Sequence, residues 1–516
     1  MPVPIRGPLR AVVRSLLACL LWLTPVRAAE QLEVRLDGLQ LPIDLVALEA
    51  WSRSSDTASG DLLAWLDLLD ASGREQLRQI LRAPLVQDRS FALQFLSSWA
   101  GQRLLVELDD LIQTDQGPAG PMLYQTLQEL LRGRRQVTTI ELLRAVPSQR
   151  VLINLDGGLQ LATQWRSQIA AQRDALEALQ QLKLRQVSQL WPGLQASEAP
   201  ALRQAFVLPV SHREQALQLQ IWRGNRDHWV LLTPGLGGSS DQLQWFAAGL
   251  QQRGWSVLLL DHPGSDEQAV REWLEGRRPP PGAETLNDRV RDLQAVVAAV
   301  QNGPLPRLGE RVVLIGHSLG GLTSLLAAGL RPEPGLARRC DRALDGIPLT
   351  NLSQLLQCQL LDVPLLPPKP LDQPVQAVVS LNGFGSLLWP HRGLRPLSAP
   401  ALLMGGSLDL ITPPISEQLH LFLRDGKPQS RLVLLEGGSH FSPVRITSGE
   451  RALFRLGEEF VGVDPQRVQT LTLSLTSEFL ETLPQGLRPQ LRQLGGVTAY
   501  VLNQQQAETW DASLRN

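Results

Sequence analysis

From about residue 202 the chain alternates short apolar runs with stretches whose apolar residues recur every three or four positions. AFVLPV (205–210), ALQLQIW (216–222), HWVLLTP (228–234), SVLLLD (256–261), RVVLIG (311–316), AVVSLN (377–382), ALLMGG (401–406) and RLVLLEG (431–437) read as strands. Helical spacing falls between most of the later ones, as in 241–254, 286–301 and 415–426. Strands alternating with helices predict an α/β fold with a mostly parallel sheet covered on both faces. Residues 331–372 break the rhythm with Pro, Arg and Leu, including LPPKP, and are expected to form a cap over the carboxyl edge of the sheet.

Residues 30–162 have a different texture. LEVRLDGLQLP (32–42) alternates apolar and polar positions up to Asp37-Gly38, a turn signal, and VLINLDGGLQL (151–161) nearly repeats it. The two are expected to pair as strands that tie together the ends of a mainly helical domain. Within it, Ser72 and Glu75 have capping-box spacing before a face carrying Leu77, Ile80 and Leu81, and 91–112 and 122–133 read as further helices. No histidine occurs in this region, so it is expected to limit access to a site elsewhere, to dock a partner, or to aid folding or export. Residues 163–200 read as a helical connector, 201–462 as the catalytic domain, and 463–516 as a C-terminal extension.

The first 28 residues add a destination. Arg6, Arg10 and Arg14 precede the apolar LLACLLWL (16–23), and Val26 and Ala28 suit the −3 and −1 positions of a signal peptide cleaved after Ala28. The apolar run is about half of the ~20 residues a membrane span needs. An exported, periplasmic or secreted protein is therefore expected. Cys19 leaves with the signal, and Cys340 and Cys358 remain as a pair able to bridge in an oxidising compartment. Lys and Arg total 49 against 50 Asp and Glu, a balance that argues against a nucleic-acid partner.

The chemistry is concentrated in VVLIGHSLGG (312–321). Gly316 and Gly320 flank Ser318 two residues to either side, with a buried-type strand before and helical spacing after. A serine on so sharp a turn reads as a nucleophile elbow, because only small residues fit where the backbone doubles back. A serine hydroxyl needs a base, and the base needs a carboxylate to orient it. In the order serine, acid, histidine, Asp409 follows the strand 401–406 and His440 lies in the Gly-Gly-Ser-His loop after 431–437. Donors for a developing oxyanion are expected at the N–H of Leu319, directly after the serine, and at Leu236 in the glycine-rich PGLGGSS (234–240). His317 reads as structural or pocket-lining, and His262, His391 and His420 receive no catalytic role.

TPGLGGS, LLLDHPGSD, GHSLGG, NLSQLLQCQ and GGSHFS together resemble the α/β-hydrolase superfamily across 202–460. Within it the chain is similar to the dienelactone-hydrolase and platelet-activating-factor-acetylhydrolase-like branch with an N-terminal domain of unknown function. The resemblance implies the α/β-hydrolase fold and a hydrolase of carboxylic esters with Ser318, Asp409 and His440 as triad; together with the leader segment, an exported serine hydrolase, esterase or lipase-like, is expected. A small-molecule or lipid ester is the expected substrate, peripheral contact with a membrane or lipid is allowed for, and neither metal nor organic cofactor is expected. A peptidase or acyltransferase on the same triad and a non-catalytic binding protein retaining the fold are the alternatives.

Overall fold

The computed structural model describes residues 29–515 apart from 55–59, 68, 87–98, 135, 188–202, 275–276, 279–280, 345–349, 364, 367–368 and 446–463. The segment expected to be a signal peptide, Cys19 included, lies outside the described residues. The chain folds as two units, divided near Leu161.

In the first unit, β1 (Gln31–Leu36) and β2 (Leu39–Asp44) form an antiparallel hairpin. Asp37 and Gly38 turn it with φ of 51° and 75°, the positive pair that a two-residue hairpin loop requires. A short ladder joins β3 (Pro84–Val86) to β6 (Val137–Thr138). The main sheet is completed by β4 (Ile112–Thr114), β5 (Gly117–Pro118) and β7 (Arg150–Asn154), in the order β2-β1-β7-β4-β5. β1 and β7 pair in parallel, Gln31 opposite Arg150 through Arg35 opposite Asn154, so the two similar segments do tie the ends of the unit together.

Two expectations need correcting here. The unit is more than a helical module with two strands, since the helical run read over 91–112 stops at Leu108 and β4 then joins β7. The helix Ala71–Arg82 is capped by Asp70, whose carboxylate accepts from the Gly73 N–H at 2.7 Å, so Ser72 already lies inside it. Of its expected inner face, Leu81 is buried but Ile80 is exposed.

The second unit is built on an 11-stranded sheet. Its strands are β8 (Gln186–Val187), β9 (Arg203–Leu208), β10 (Leu217–Trp222), β11 (His228–Thr233), β12 (Ser256–Leu260), β13 (Arg311–His317), β14 (Val375–Leu381), β15 (Ala401–Gly406), β16 (Arg431–Glu436), β17 (Gln490–Leu494) and β18 (Val497–Leu502). The order is β8-β17-β18-β16-β15-β14-β13-β11-β12-β10-β9, with the run from β12 to β16 parallel. Leu231, Leu258 and Leu314 enter the apolar layer on one face, while Val230, Val257 and Val313 enter the layer on the other. Burial on both faces explains why the parallel strands read as continuous apolar runs.

Residues 463–516 are not an appendage. The helix Pro465–Glu481 buries Val468, Leu471, Leu475 and Phe479 in one of those layers, and an antiparallel hairpin of β17 and β18 extends the sheet, with β18 pairing antiparallel to β16. Gly495 and Gly496, with φ of 53° and 92°, make the hairpin turn. The helical connector also differs from expectation, as one helix runs from Leu155 to Gln180. The insert over 331–372 contains helices Leu336–Ala343 and Ser353–Cys358, joined by a Cys340–Cys358 disulfide. Ser353 N donates to Ile411 O at 2.8 Å, which sets this part of the insert beside the loop after β15, at the carboxyl edge.

Candidate active site

β13 lies at the centre of the parallel run and delivers its last residue to the carboxyl edge, where open α/β sheets bind ligands. Ser318 follows with φ 52° and ψ −118°, and the helix Leu319–Ala327 starts at once. Holding a non-glycine residue there costs on the order of 1–3 kcal/mol, and the neighbouring packing imposes it. A Cβ on Gly316 would lie 2.1 Å from Gly320 O, and one on Gly320 would lie 2.4 Å from Thr233 O. Glycine is the residue that fits at either position.

Asp409 and His440 come from the loops after β15 and β16. Asp409 is fully buried, and its carboxylate takes five donors. Oδ1 accepts from the N–H groups of Ile411 and Thr412, both at 2.8 Å. Oδ2 accepts from Asn382 Nδ2 at 2.7 Å, Thr412 Oγ1 at 2.6 Å and His440 Nδ1 at 2.9 Å. Burial alone would raise this acid, but the facing His440 and the donated hydrogen bonds hold it at about 2. An ionised carboxylate can only accept, so Nδ1 of His440 carries a proton, and a lone pair for taking a proton can then sit only on Nε2.

His317 links the base to the elbow. Its ring centroid lies 5.0 Å from that of His440, and its Nε2 donates to the His440 carbonyl at 2.8 Å. Burial, with the neighbouring His440, pushes His317 down to about 3, so the ring is neutral. Ser318 Oγ is not hydrogen-bonded to His440. Both residues keep some exposure, 7% and 5%, so the hydroxyl and ring are not sealed from a small substrate. Catalytic contacts of this kind often tighten only when substrate binds.

The loop after β11 abuts the same serine. A Cβ on Gly235 would lie 3.2 Å from Ser318 Cβ, and Leu236 follows, half-buried. Leu319 opens its helix, where the N–H has no intrahelical acceptor. Among the described residues, neither the Leu236 nor the Leu319 N–H is hydrogen-bonded. His391 and His420 sit apart from this group, His420 Nε2 bonding to Pro390 O at 3.2 Å. A cavity of about 980 Å³ lined by Val290, Leu326, Leu330, Leu360 and Leu388 also lies apart from it, holding none of Ser318, Asp409 or His440.

One group of buried polar residues was not legible as a unit. His262 is fully buried, with Nδ1 2.7 Å from Asp292 Oδ2 and Nε2 2.8 Å from Thr233 Oγ1. Asp292 also accepts from His212 at 2.8 Å and from Arg213 at 2.7 and 2.8 Å. Burial and the Arg289 charge hold His262 down at about 4. Asp292 lies well below the usual carboxylate range, because its hydrogen bonds outweigh its burial. The available signal was Arg289 and Asp292 within the apolar stripe of the helix Leu286–Asn302, where a solvated pair would not be placed.

Residues 230–449 match the family model described as alpha/beta hydrolase family, and residues 28–154 match the one described as alpha/beta hydrolase of unknown function (DUF1400). No curated protein matches the chain. With the sheet order and elbow above, the second unit has the α/β-hydrolase fold, and the family match over 230–449 supports a hydrolase.

Proposed function

We propose that the protein is an exported serine hydrolase of carboxylic esters, of the dienelactone-hydrolase and platelet-activating-factor-acetylhydrolase-like kind. Ser318 Oγ attacks the ester carbonyl while His440 Nε2 takes its proton. The carbonyl oxygen becomes an oxyanion facing the N–H groups of Leu319 and Leu236. The imidazolium then gives its proton to the departing alkoxide, leaving an acyl-enzyme and an alcohol. Water attacks the acyl carbon, His440 again accepts and returns a proton, and the acid is released from Ser318. Asp409 stays ionised throughout, fixing the tautomer and stabilising the imidazolium.

The observation that carries this reading is the His440–Asp409 pair, bonded at 2.9 Å and joined through His317 to an elbow serine that opens a helix. Acid quenching a reaction with a p-nitrophenyl ester and mapping the acylated peptide tests it. Acyl mass on Ser318 is expected. Turnover without Ser318 acylation would overturn it, and turnover of peptides or transfer to alcohols in preference to water would favour the peptidase or acyltransferase alternative.

A further inference from the structure

The mechanism above makes no use of Arg289, a guanidinium with 0% exposure. Among the described residues it has no ion-pair partner within 4.0 Å, because the nearby Asp292 is already taken by His212, Arg213 and His262. Burial pushes it down only to about 9, so it stays charged at neutral pH. A fully desolvated, unpaired cation is costly, and proteins retain one where its position matters.

Its donors reach four places, one of them Thr233 Oγ1, to which Nη2 donates at 3.5 Å. Nη2 bonds the carbonyl of Pro234, the first residue of the loop that carries Leu236. Nη1 donates to Ser265 Oγ at 2.8 Å, and the Ser265 carbonyl accepts the Gly237 N–H at 2.8 Å, so this arm holds the middle of the same loop. Nε donates to Thr323 Oγ1 at 3.1 Å, and that hydroxyl donates to the Leu319 carbonyl at 2.7 Å, in the first turn of the nucleophile helix. One planar group thus ties both strands of backbone that present the candidate donors. The Pro234 carbonyl it grips also lies against Gly320, where an added Cβ would come within 2.6 Å.

We propose that Arg289 is the positioning residue of the oxyanion hole: it sets the Leu236 loop against the Leu319 turn, and its unpaired charge favours the oxyanion from behind the donors. This rests on the ester-hydrolase reading given above. Donors aimed in advance at the developing charge act on the transition state and little on the bound ester. Arg289 should therefore govern kcat and leave KM almost unchanged.

The test measures kcat and KM for a p-nitrophenyl ester, and the affinity of an aryl boronic acid whose tetrahedral serine adduct mimics the oxyanion. In Arg289→Gln, kcat should fall on the order of 100-fold, KM should stay within about 2-fold, and boronate affinity should fall in step with kcat. Arg289→Lys keeps the charge but loses the fork, and should recover part of the loss. If Arg289→Gln does not fold, Thr323→Val and Ser265→Ala cut single arms, and each should lower kcat about 10-fold without moving KM. A folded Arg289→Gln with wild-type kcat, a loss confined to KM, or arm variants at full rate would overturn the inference while the ester reading stands. A wild-type protein that hydrolyses no ester would overturn both.

Discussion

Two hydroxyl–imidazole–carboxylate groups lie in one unit: Ser318 with His440 and Asp409, and Thr233 with His262 and Asp292. Each imidazole Nδ1 meets a buried aspartate, at 2.9 Å and 2.7 Å. Everything else differs. Thr233 ends a strand in ordinary conformation and its hydroxyl is already bonded to His262 Nε2 at 2.8 Å, whereas Ser318 sits on a strained elbow with its hydroxyl unengaged by His440. His262 has no exposure and is penned by Arg289 and Arg213, while His440 keeps a free Nε2. A saturated group of this kind braces the fold. Reactivity needs one valence left open in the right direction.

The largest effects should fall on the open group. Ser318→Ala should lower ester turnover by about 10⁴-fold or more, and His440→Ala by a similar amount, because the members act as a unit. Asp409→Asn should cost up to about 10⁴-fold through the wrong imidazole tautomer. Steady-state kinetics on a short p-nitrophenyl ester, with circular dichroism to confirm folding, measures all three. Full activity in Asp409→Asn would mean that the two groups had been assigned the wrong way round.

The same truncation in the closed group should appear as lost stability. His262→Gln leaves part of the Asp292 carboxylate and the Thr233 hydroxyl short of a partner, and should cost about 3 kcal/mol in urea unfolding. Opening the Cys340–Cys358 bridge, which closes a loop 18 residues long, should cost about 3 kcal/mol on the chain-entropy account. It loosens the insert hydrogen-bonded beside the Asp409 loop, so ester preference should shift with reduction while the His262 group stays intact.

The smallest effect is the pH dependence of stability. His262 titrates at about 4 in the folded protein against 6.5 ordinarily, so the unfolded chain takes up that proton first. Its contribution is complete above about 6.5 and is lost as pH falls toward 4, with about 2 kcal/mol gone by pH 5. Urea midpoints at pH 7.5 and 5 should show this slope in the wild type and a shallower one in His262→Gln. Equal slopes would assign the acid sensitivity to other groups, such as the buried His317.

The open group was readable from sequence because its demands are local: glycines two residues either side of Ser318, and loops ending successive apolar strands that supply Asp409 and His440. The eight strand-like runs from β9 to β16 were equally plain: burial on both faces leaves β11 to β16 an uninterrupted apolar signature, and β10 shows the alternation of a strand with one face buried. The closed group was not, because Thr233, His262, Arg289 and Asp292 stand on three separate elements and meet only in the folded unit. β17 hid for a related reason. Gln490 and Arg492 are buried polar residues in a strand, so QLRQL lacks the apolar texture of its neighbours. The twin LDG segments show how little separates two outcomes. After Arg35 the chain turns back as a hairpin, whereas Asn154 accepts the Gly157 N–H at 3.2 Å and starts a helix.

Labelling by a fluorophosphonate tests the central claim most directly, with the rate and site of modification followed by peptide mass spectrometry in wild type, His440→Ala and His262→Gln. The account predicts one adduct, on Ser318, slowed at least about 10³-fold by His440→Ala and little changed in folded His262→Gln. Labelling of another serine, or a Ser318 rate that depends on His262 and not on His440, would contradict it.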